Sequence, residues 1–246
     1  MIKAVLFDYG GTLVEPLRPW DDEVKPTAVA APYSLLCRRG LNVPYPEYLA
    51  FNDSVFYRYS QLEKQRESDI PDISKYRDVV DTLFPDRSKT WRERVAGEAN
   101  NAFWNVATAN YILQKGVRGC LAELKSMKLR LAVVSNHHNQ RALNNHLIRL
   151  GVRSYFSRII VSSQVGFRKP DQRIFAMCLS ALHVRSPEAV FVGDSIPYDI
   201  EGAKRAGMTT VLIGKERSGN EEGRPDFKVV NLSEVPRIVS SLQNSG

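Results

Sequence analysis

Long apolar runs and cysteines are scarce in this sequence of 246 residues. No run approaches the ~20 apolar residues that a membrane helix needs, so we expect neither a membrane span nor a membrane partner. The apolar run 4–7 ends at Asp8, too early for a secretory signal, and no other targeting segment is visible. The three cysteines are too scattered for a disulfide framework or a zinc cluster: Cys37, Cys120 and Cys178. These absences favour a reducing, cytoplasmic setting.

Neither sign of charge dominates strongly. Lys and Arg number 34 and Asp and Glu 27, which leaves a net charge of +7. That excess permits an anionic partner but does not identify one. The basic segments 38–39 and 87–94 come with no nucleic-acid-binding motif, so we expect a small anionic molecule and no specific nucleic acid. The hydrophobic share of 43% is typical of a globular protein, and the oligomeric state leaves no signal.

Short apolar runs alternate with helical patterns over much of the chain. The runs are bounded by glycines and polar residues, which is typical of buried strands, and lie at 2–7, 129–134, 158–161, 189–192, 209–213 and 227–230. Helical spacing of apolar residues falls between them, at 117–128, 139–150, 171–182, 197–206 and 233–242. This alternation predicts an α/β fold, a Rossmann-like parallel sheet with helices on both faces.

One segment, 15–113, interrupts the alternation and is predicted to be an all-helical cap domain. Its helical patterns cover 25–39, 46–67, 73–84 and 88–113. The α/β core domain would then consist of residues 1–14 and 114–246. A helical block inserted after the first strand stands over the carboxyl edge of the sheet, where open α/β folds bind ligands. We therefore expect the block to act as a lid.

Polar residues follow the apolar runs at the carboxyl ends of the predicted strands. Asp8 and Gly10 follow the first run, Ser135 the second, Lys169 comes after the third, and Asp194 ends the fourth. Parallel neighbouring strands would bring these residues into one crevice. Two carboxylates close together need a cation, and Mg²⁺ prefers oxygen ligands. Lysine, hydroxyl and backbone N–H groups could hold a phosphate there, and Asp8 could attack its phosphorus.

These residues resemble the four motifs of the haloacid dehalogenase (HAD) superfamily. Asp-Tyr-Gly-Gly-Thr-Leu at 8–13 resembles motif I, Ser-Asn at 135–136 motif II, and Arg-Lys-Pro-Asp at 168–171 motif III. Gly-Asp at 193–194, followed by Asp199, is similar to a metal-binding form of motif IV. The helical block also lies where that superfamily places its cap. The resemblance implies a Mg²⁺-dependent hydrolase, most often a phosphatase of a small phosphorylated metabolite that works through an aspartyl-phosphate.

The resemblance also implies a role for each matching residue in the reaction. Asp8 would be the nucleophile, with Lys169 as the second catalytic residue. Asp8, Asp194 and the backbone carbonyl of Gly10 would hold Mg²⁺, while Asp199 would orient Lys169 or a metal-bound water.

The implied phosphate-binding set combines side chains with backbone donors. Ser135 and Lys169 would bind phosphoryl oxygens, and Asn136 would assist through its backbone N–H. Thr12 is assigned to the same set and to bracing the loop after the first strand.

One position departs from the phosphatase pattern. Family phosphatases usually carry a second aspartate two residues after the nucleophile, as general acid and base, and this chain has Gly10 there. General acid–base catalysis contributes about 10²–10⁴-fold, and its loss hurts most when the leaving group is an alkoxide. We therefore expect activity that is weak or restricted to good leaving groups, such as acyl or aryl phosphates. The acids after motif I are candidate replacements: Glu15, Asp21, Asp22 and Glu23.

Other interpretations stay open at this point. Gly10 also fits a phosphate-binding or regulatory protein that has lost turnover. Dehalogenases of the superfamily lack the second aspartate too, but they use no metal and carry a different motif IV. Phosphonatases need a Schiff-base lysine in the cap, for which Lys25 and Lys64 are available. His137 and His138 follow motif II and could face a substrate, although exposed loop or first-turn side chains are the more common case at such positions.

Overall fold

A six-stranded parallel sheet forms the centre of the molecule. The computed structural model describes residues 1–66, 68–214 and 224–244. The strands of the described residues are β1 (Ala4–Phe7), β2 (Val14–Pro16), β3 (Tyr111–Leu113), β4 (Arg130–Ser135), β5 (Phe156–Val161), β6 (Ala189–Gly193), β7 (Thr209–Ile213) and β8 (Phe227–Val229). The strand order β5-β4-β1-β6-β7-β8 places β1 in the middle of the sheet, between β4 and β6. The six predicted sheet strands and the α/β class are confirmed.

Helices connect the strands and cover both faces of the sheet. Within the described residues they are α1 (Lys25–Arg38), α2 (Tyr45–Arg66), α3 (Asp72–Leu83), α4 (Lys89–Ala109), α5 (Val117–Ser126), α6 (Gln140–Arg149), α7 (Ser162–Val165), α8 (Gln172–Leu182), α9 (Glu201–Arg205) and α10 (Val235–Asn244). The predicted helix 46–67 reaches Arg66, and its last residue lies outside the described residues. The predicted helix 197–206 is instead a π-helical turn, Ile196–Ile200, followed by α9.

Alternation along β1 divides its side chains between two apolar layers. Val5 and Phe7 pack into one layer with Leu121 of α5, and Leu6 packs into the other with Phe175 of α8. Burial on both faces explains why these strands are continuously apolar. Cys120 and Cys178 are buried, one in each layer, whereas Cys37 is exposed. Among the helices of the described residues, none combines the length and apolar character needed to cross a membrane.

Helices α1–α4, with the segments that connect them, form a separate apolar cluster, here called the helical insert. Tyr48, Tyr76 and Phe103 lie in its centre. The predicted helix 88–113 is too long, since α4 ends at Ala109 and β3 pairs antiparallel with β2. Asn110 explains the ending, because its side chain exchanges two hydrogen bonds with the backbone of Arg18, at 3.0 and 3.2 Å. The chain therefore leaves and re-enters the core at one point, and the domain boundaries 15–113 stay a prediction.

Candidate active site

The carboxyl ends of β1, β4 and β6 open into a cavity of about 380 Å³. Because β1 lies between β4 and β6, residues that follow these strands meet at one edge of the sheet. All but one of the residues implied by the motifs line this cavity: Asp8, Gly10, Ser135, Asn136, Lys169, Asp194 and Asp199. The structure thus brings together groups that are up to 191 positions apart in sequence (Asp8 and Asp199). Their individual roles stay predictions.

Lys169 is the cation at the centre of the cavity. It is 2% exposed, and its Nζ lies 2.5 Å from Asp8 Oδ1 and 2.6 Å from Asp199 Oδ1. Burial alone would lower the pKa of Lys169, but the two carboxylates outweigh burial and raise it, so the ammonium stays charged. Burial raises the pKa of Asp8 to about 7, with Asp199 and Asp194 adding to the effect and Lys169 opposing it.

The acidic cluster has more negative charge than Lys169 can balance. Carboxylate oxygens of Asp8, Asp194 and Asp199 all lie within 4.8 Å of one another. Burial, followed by the charge of Asp199, also raises the pKa of Asp194. Three carboxylates and one ammonium leave an excess that a divalent cation would offset, and oxygen atoms are the ligands that Mg²⁺ prefers. The residues therefore fit a metal ion of this type.

Two adjacent glycines shape the loop after β1 in different ways. At Gly11, φ is +79° and an added Cβ would lie 2.1 Å from Asp194 Oδ2, so only glycine allows this approach. At Gly10 an added Cβ would meet nothing within 4 Å. Gly10 is therefore not required by packing, and the space beside it can accept a side chain.

Polar side chains behind the cavity hold its wall in position. The Asn136 amide accepts from the Lys169 backbone N–H at 2.8 Å and donates to the Lys169 carbonyl at 3.0 Å. Asn136 thus positions the Lys169 backbone through its side chain. Thr12 is fully buried, does not line the cavity, and donates to Asp194 Oδ1 at 3.2 Å. The Thr12 hydroxyl thus braces Asp194, and its assignment to phosphate binding stays a prediction that this position does not favour.

The helical insert supplies one wall of the cavity. Trp104 and Thr108 of α4 line it, and Tyr111 of the adjoining strand β3 lines it as well. The Trp104 ring lies against His137, with 4.4 Å between centroids. Among the described residues, the buried Trp104 Nε1 has no hydrogen-bond partner. An apolar wall facing charged residues suits a ligand with one anionic end and one organic end.

His137 and His138 also line the cavity, so they are not the exposed loop residues that are more common at such positions. His138 lies between the core and the insert. Its Nδ1 is 3.2 Å from the Ile70 carbonyl oxygen and 3.4 Å from Glu63 Oε1. Burial alone would lower the pKa of His138, but the bond to Glu63 and the charge of Asp72 outweigh it and raise the pKa.

A second contact joins the insert to the loop that carries Lys169. Asp69 accepts a hydrogen bond from the Ser162 hydroxyl and lies 3.2 Å from Arg168 Nη1. Glu63 and Asp69 therefore each connect the insert to the core domain, through His138 and through Ser162 and Arg168. Sequence patterns could not identify these acids, because their core partners are distant in sequence.

The acids proposed to replace the missing general acid do not lie at the cavity. Glu15, Asp21 and Glu23 are exposed and do not line it. The side chain of Asp22 lies outside what the structure describes. In this structure Glu15, Asp21 and Glu23 are therefore not placed to supply the acid, since none of them lines the cavity.

Comparison with known proteins agrees with the motif order and the geometry. Residues 50–213 match the family described as haloacid dehalogenase-like hydrolase. The chain belongs to the haloacid dehalogenase-like hydrolases. A glyceraldehyde 3-phosphate phosphatase of Methanopyrus kandleri is 28% identical over 247 residues, covering 98% of this chain and 99% of that relative. A phosphoserine phosphatase of Thermus thermophilus is 33% identical over 160 residues, covering 61% of this chain and 64% of that relative.

A solved structure supports the fold of this HAD-like hydrolase over its whole length. The 2-haloacid dehalogenase from Pseudomonas syringae pv. tomato DC3000 superposes with a TM-score of 0.71 at 24% identity, covering 98% of this chain and 100% of the other. At this identity the similarity establishes the architecture and not the reaction.

Proposed function

We propose that this HAD-like hydrolase is a phosphatase that removes the phosphoryl group from a small phosphorylated metabolite. The observation that carries the proposal is the Asp8 carboxylate in contact with the buried Lys169 ammonium, inside an acidic cluster that fits a divalent cation. The cavity of about 380 Å³ is the size of a small-molecule site. Two relatives whose names denote phosphatases of small metabolites, one matching over almost its full length, support the same reaction.

Different residues carry out the separate steps of the proposed reaction. An Asp8 carboxylate oxygen attacks phosphorus, the bond from phosphorus to the leaving oxygen breaks, and an aspartyl-phosphate forms on Asp8. Lys169 and Ser135 hold phosphoryl oxygens, and Asp199 keeps the Lys169 ammonium in place. Water then attacks the phosphorus, which releases phosphate and regenerates Asp8.

Mg²⁺ is the proposed cofactor. Asp8, Asp194 and the carbonyl of Gly10 would hold it, and the bound ion would offset negative charge on the phosphoryl group. Thr12 and Gly11 support this arrangement, since one donates a hydrogen bond to Asp194 and the other leaves room for its carboxylate.

Dehalogenation is the second candidate, because Gly10 and the fold similarity to a 2-haloacid dehalogenase both allow it. The acidic cluster favours the phosphatase, since a metal-free dehalogenase has no use for three carboxylates gathered around one lysine. A Schiff-base mechanism is not favoured, because neither Lys25 nor Lys64 lines the cavity. A binding protein without turnover would not need the nucleophile Asp8.

Release of p-nitrophenol from p-nitrophenyl phosphate, with Mg²⁺ and with a chelator, tests the proposal. This leaving group needs little protonation, so Gly10 does not mask the activity. Metal-dependent turnover that Asp8→Asn abolishes is the expected result. Absence of turnover, together with chloride release from 2-chloropropionate, would favour the dehalogenase.

A further inference from the structure

Hydrolysis of an alkyl phosphate requires a group in the cavity that donates a proton to the leaving alkoxide oxygen. At Gly10 the usual carboxylic acid is missing, and Glu15, Asp21 and Glu23 do not line the cavity. A phenol is a poor substitute here, since the Tyr9 hydroxyl is engaged 2.5 Å from His146 Nδ1 and burial raises the pKa of Tyr9. Burial also raises the pKa of Tyr111. The two histidines after motif II line the cavity as well and are candidates for the acid.

His137 is held in its neutral form and is a poor proton donor. Its Nδ1 accepts a hydrogen bond from the Asn139 backbone N–H at 3.0 Å, and its ring packs against Trp104. Burial first, and then the charge of His138, lower the pKa of His137 to about 3. The ring can donate a hydrogen bond, but it does not carry the extra proton that an acid must give up.

His138 is held in the opposite way. Its Nδ1 faces two acceptors, the Ile70 carbonyl oxygen at 3.2 Å and Glu63 Oε1 at 3.4 Å, so that nitrogen carries a proton. Among the described residues Nε2 has no hydrogen-bond partner, and the side chain, which lines the cavity, is 34% exposed. A carboxylate that orients one ring nitrogen and leaves the other without a protein partner is the arrangement of a histidine acid or base.

The charges around His138 favour the imidazolium. Glu63 of α2 and Asp72 of α3 both face Nδ1, with Asp72 Oδ1 at 3.8 Å. Lys75 of α3 opposes them, although its ammonium is paired with both, at 3.3 and 2.9 Å. Asp69 adds a further negative charge nearby, and His137 is neutral. The net surroundings of the ring are therefore anionic.

We propose, on the basis of the phosphatase function, that His138 is the general acid that replaces the missing aspartate. As Asp8 attacks phosphorus and the bond to the leaving oxygen breaks, the proton on Nε2 passes to that oxygen. The neutral ring then takes a proton from the water that attacks the aspartyl-phosphate, which releases phosphate and restores the imidazolium. Glu63 is a positioning residue, and because it belongs to the helical insert, the acid is assembled only when the insert contacts the core.

Two substrates of similar size but different leaving groups test the assignment. The leaving group of benzyl phosphate is an alkoxide that needs a proton, whereas the leaving group of p-nitrophenyl phosphate is a stable anion. The variant His138→Asn retains an amide N–H near the position of Nδ1, which keeps the contact with Ile70 and Glu63 while removing Nε2. We expect kcat for benzyl phosphate to fall about 10²-fold, and kcat for p-nitrophenyl phosphate to fall by less than about tenfold. The matched control His183→Asn changes an exposed histidine and should alter neither rate.

The pH profile and a rescue separate an acid from a structural residue. In Glu63→Gln, the decline of kcat for benzyl phosphate at alkaline pH should begin at a lower pH than in the wild type. The reason is that the variant lacks the negative charge that favours the imidazolium form of His138. Adding Gly10→Asp to His138→Asn should restore benzyl phosphate turnover.

Each remaining outcome counts against a stated claim. Equal losses on both substrates in His138→Asn, an alkaline decline that begins at the wild-type pH in Glu63→Gln, or a wild type that hydrolyses only p-nitrophenyl phosphate would overturn the assignment of His138. A wild type that hydrolyses neither substrate, or turnover that survives in Asp8→Asn, would overturn the phosphatase function itself and the assignment with it.

Discussion

The Lys169 ammonium lies 2.5 Å from Asp8 Oδ1, across 161 positions of sequence. Both side chains are buried, so the pair is not exposed to the screening that weakens surface ion pairs. The same ammonium contacts Asp199, and the Asn136 amide holds the lysine backbone from behind. Lys169 is therefore held beside Asp8, which is the position that the proposed binding of a phosphoryl oxygen requires.

Removing this ammonium should abolish most of the activity. In Lys169→Met, the phosphoryl group loses a charged donor, and losing one such donor costs about 10²–10³-fold in kcat. Turnover of p-nitrophenyl phosphate by purified variants measures the effect. The exposed Lys115, changed to Met in the same way, should leave kcat at the wild-type value. Near-normal kcat in Lys169→Met would show that the lysine has only a structural role.

Restoring an acid at Gly10 should extend the range of leaving groups when His138 is absent. An added Cβ meets nothing within 4 Å at Gly10, so Gly10→Asp places its Cβ without a clash. In the His138→Asn background we expect Gly10→Asp to raise kcat for benzyl phosphate at least about tenfold, since general acid catalysis contributes about 10²–10⁴-fold in total. Gly11→Ala is the matched contrast and should lose activity, because its Cβ would lie 2.1 Å from Asp194 Oδ2. Unchanged benzyl phosphate turnover on adding Gly10→Asp to His138→Asn would contradict this.

Gly202 of α9 controls the packing beneath the loop that carries Lys169. An added Cβ would lie 2.8 Å from the Phe175 ring and 2.9 Å from Pro170 Cα. Overpacking of this kind costs about 1–3 kcal/mol, so Gly202→Ala should lower the free energy of unfolding by that amount. Gly119→Ala, in the exposed face of α5 with nothing within 4 Å, should instead raise it by about 0.4–1 kcal/mol. Urea denaturation compares them, and equal stability of the two variants would refute the packing argument.

The contact between Glu63 and His138 should make stability depend on pH. Burial alone would raise the pKa of Glu63, but hydrogen bonds from His138 and the Ile70 N–H, with the charge of Lys75, lower it to about 2. That stabilisation is complete above the ordinary value of 4.5 and is lost as the pH falls towards 2. The pKa of His138 is raised, so its contribution is complete below 6.5 and is lost as the pH rises through the higher folded-state value.

Denaturation of the wild type and of His138→Asn at several pH values checks this dependence. Between about pH 4.5 and 6.5 the variant should be less stable than the wild type, and the difference should shrink as the pH rises further. A difference between wild type and His138→Asn that is the same at pH 5.5 and pH 9 would contradict the account.

The motif residues could be placed from sequence because each follows a short apolar strand. Parallel strands align their carboxyl ends, so Asp8, Ser135 and Asp194 had to meet if the strands were neighbours. Gly10 could likewise be recognised as a departure. These predictions depend only on local patterns and on one topological rule, and neither requires knowledge of side-chain partners.

The contacts between distant segments could not be predicted. The Asn110 side chain ends α4 by bonding Arg18, 92 positions away, and nothing in the helical pattern of 88–113 reports it. From sequence, His138 is only a polar residue that follows a strand. Its contacts with Glu63 and Ile70 of the insert are visible only in the folded structure. Thr12 was assigned to phosphate because its motif position does not reveal that its hydroxyl points to Asp194. Such partners follow from tertiary packing, which periodicity does not encode.

Trapping the covalent intermediate tests the central claim most directly. Enzyme mixed with p-nitrophenyl phosphate and Mg²⁺, quenched in acid and reduced with borohydride, should contain homoserine at position 8, because borohydride reduces an acyl phosphate to the alcohol. Mass spectrometry of the N-terminal peptide detects the change, and enzyme without substrate is the control. The account predicts homoserine at position 8 only in the presence of substrate. Phosphate release with an unmodified Asp8 under the same conditions would contradict it.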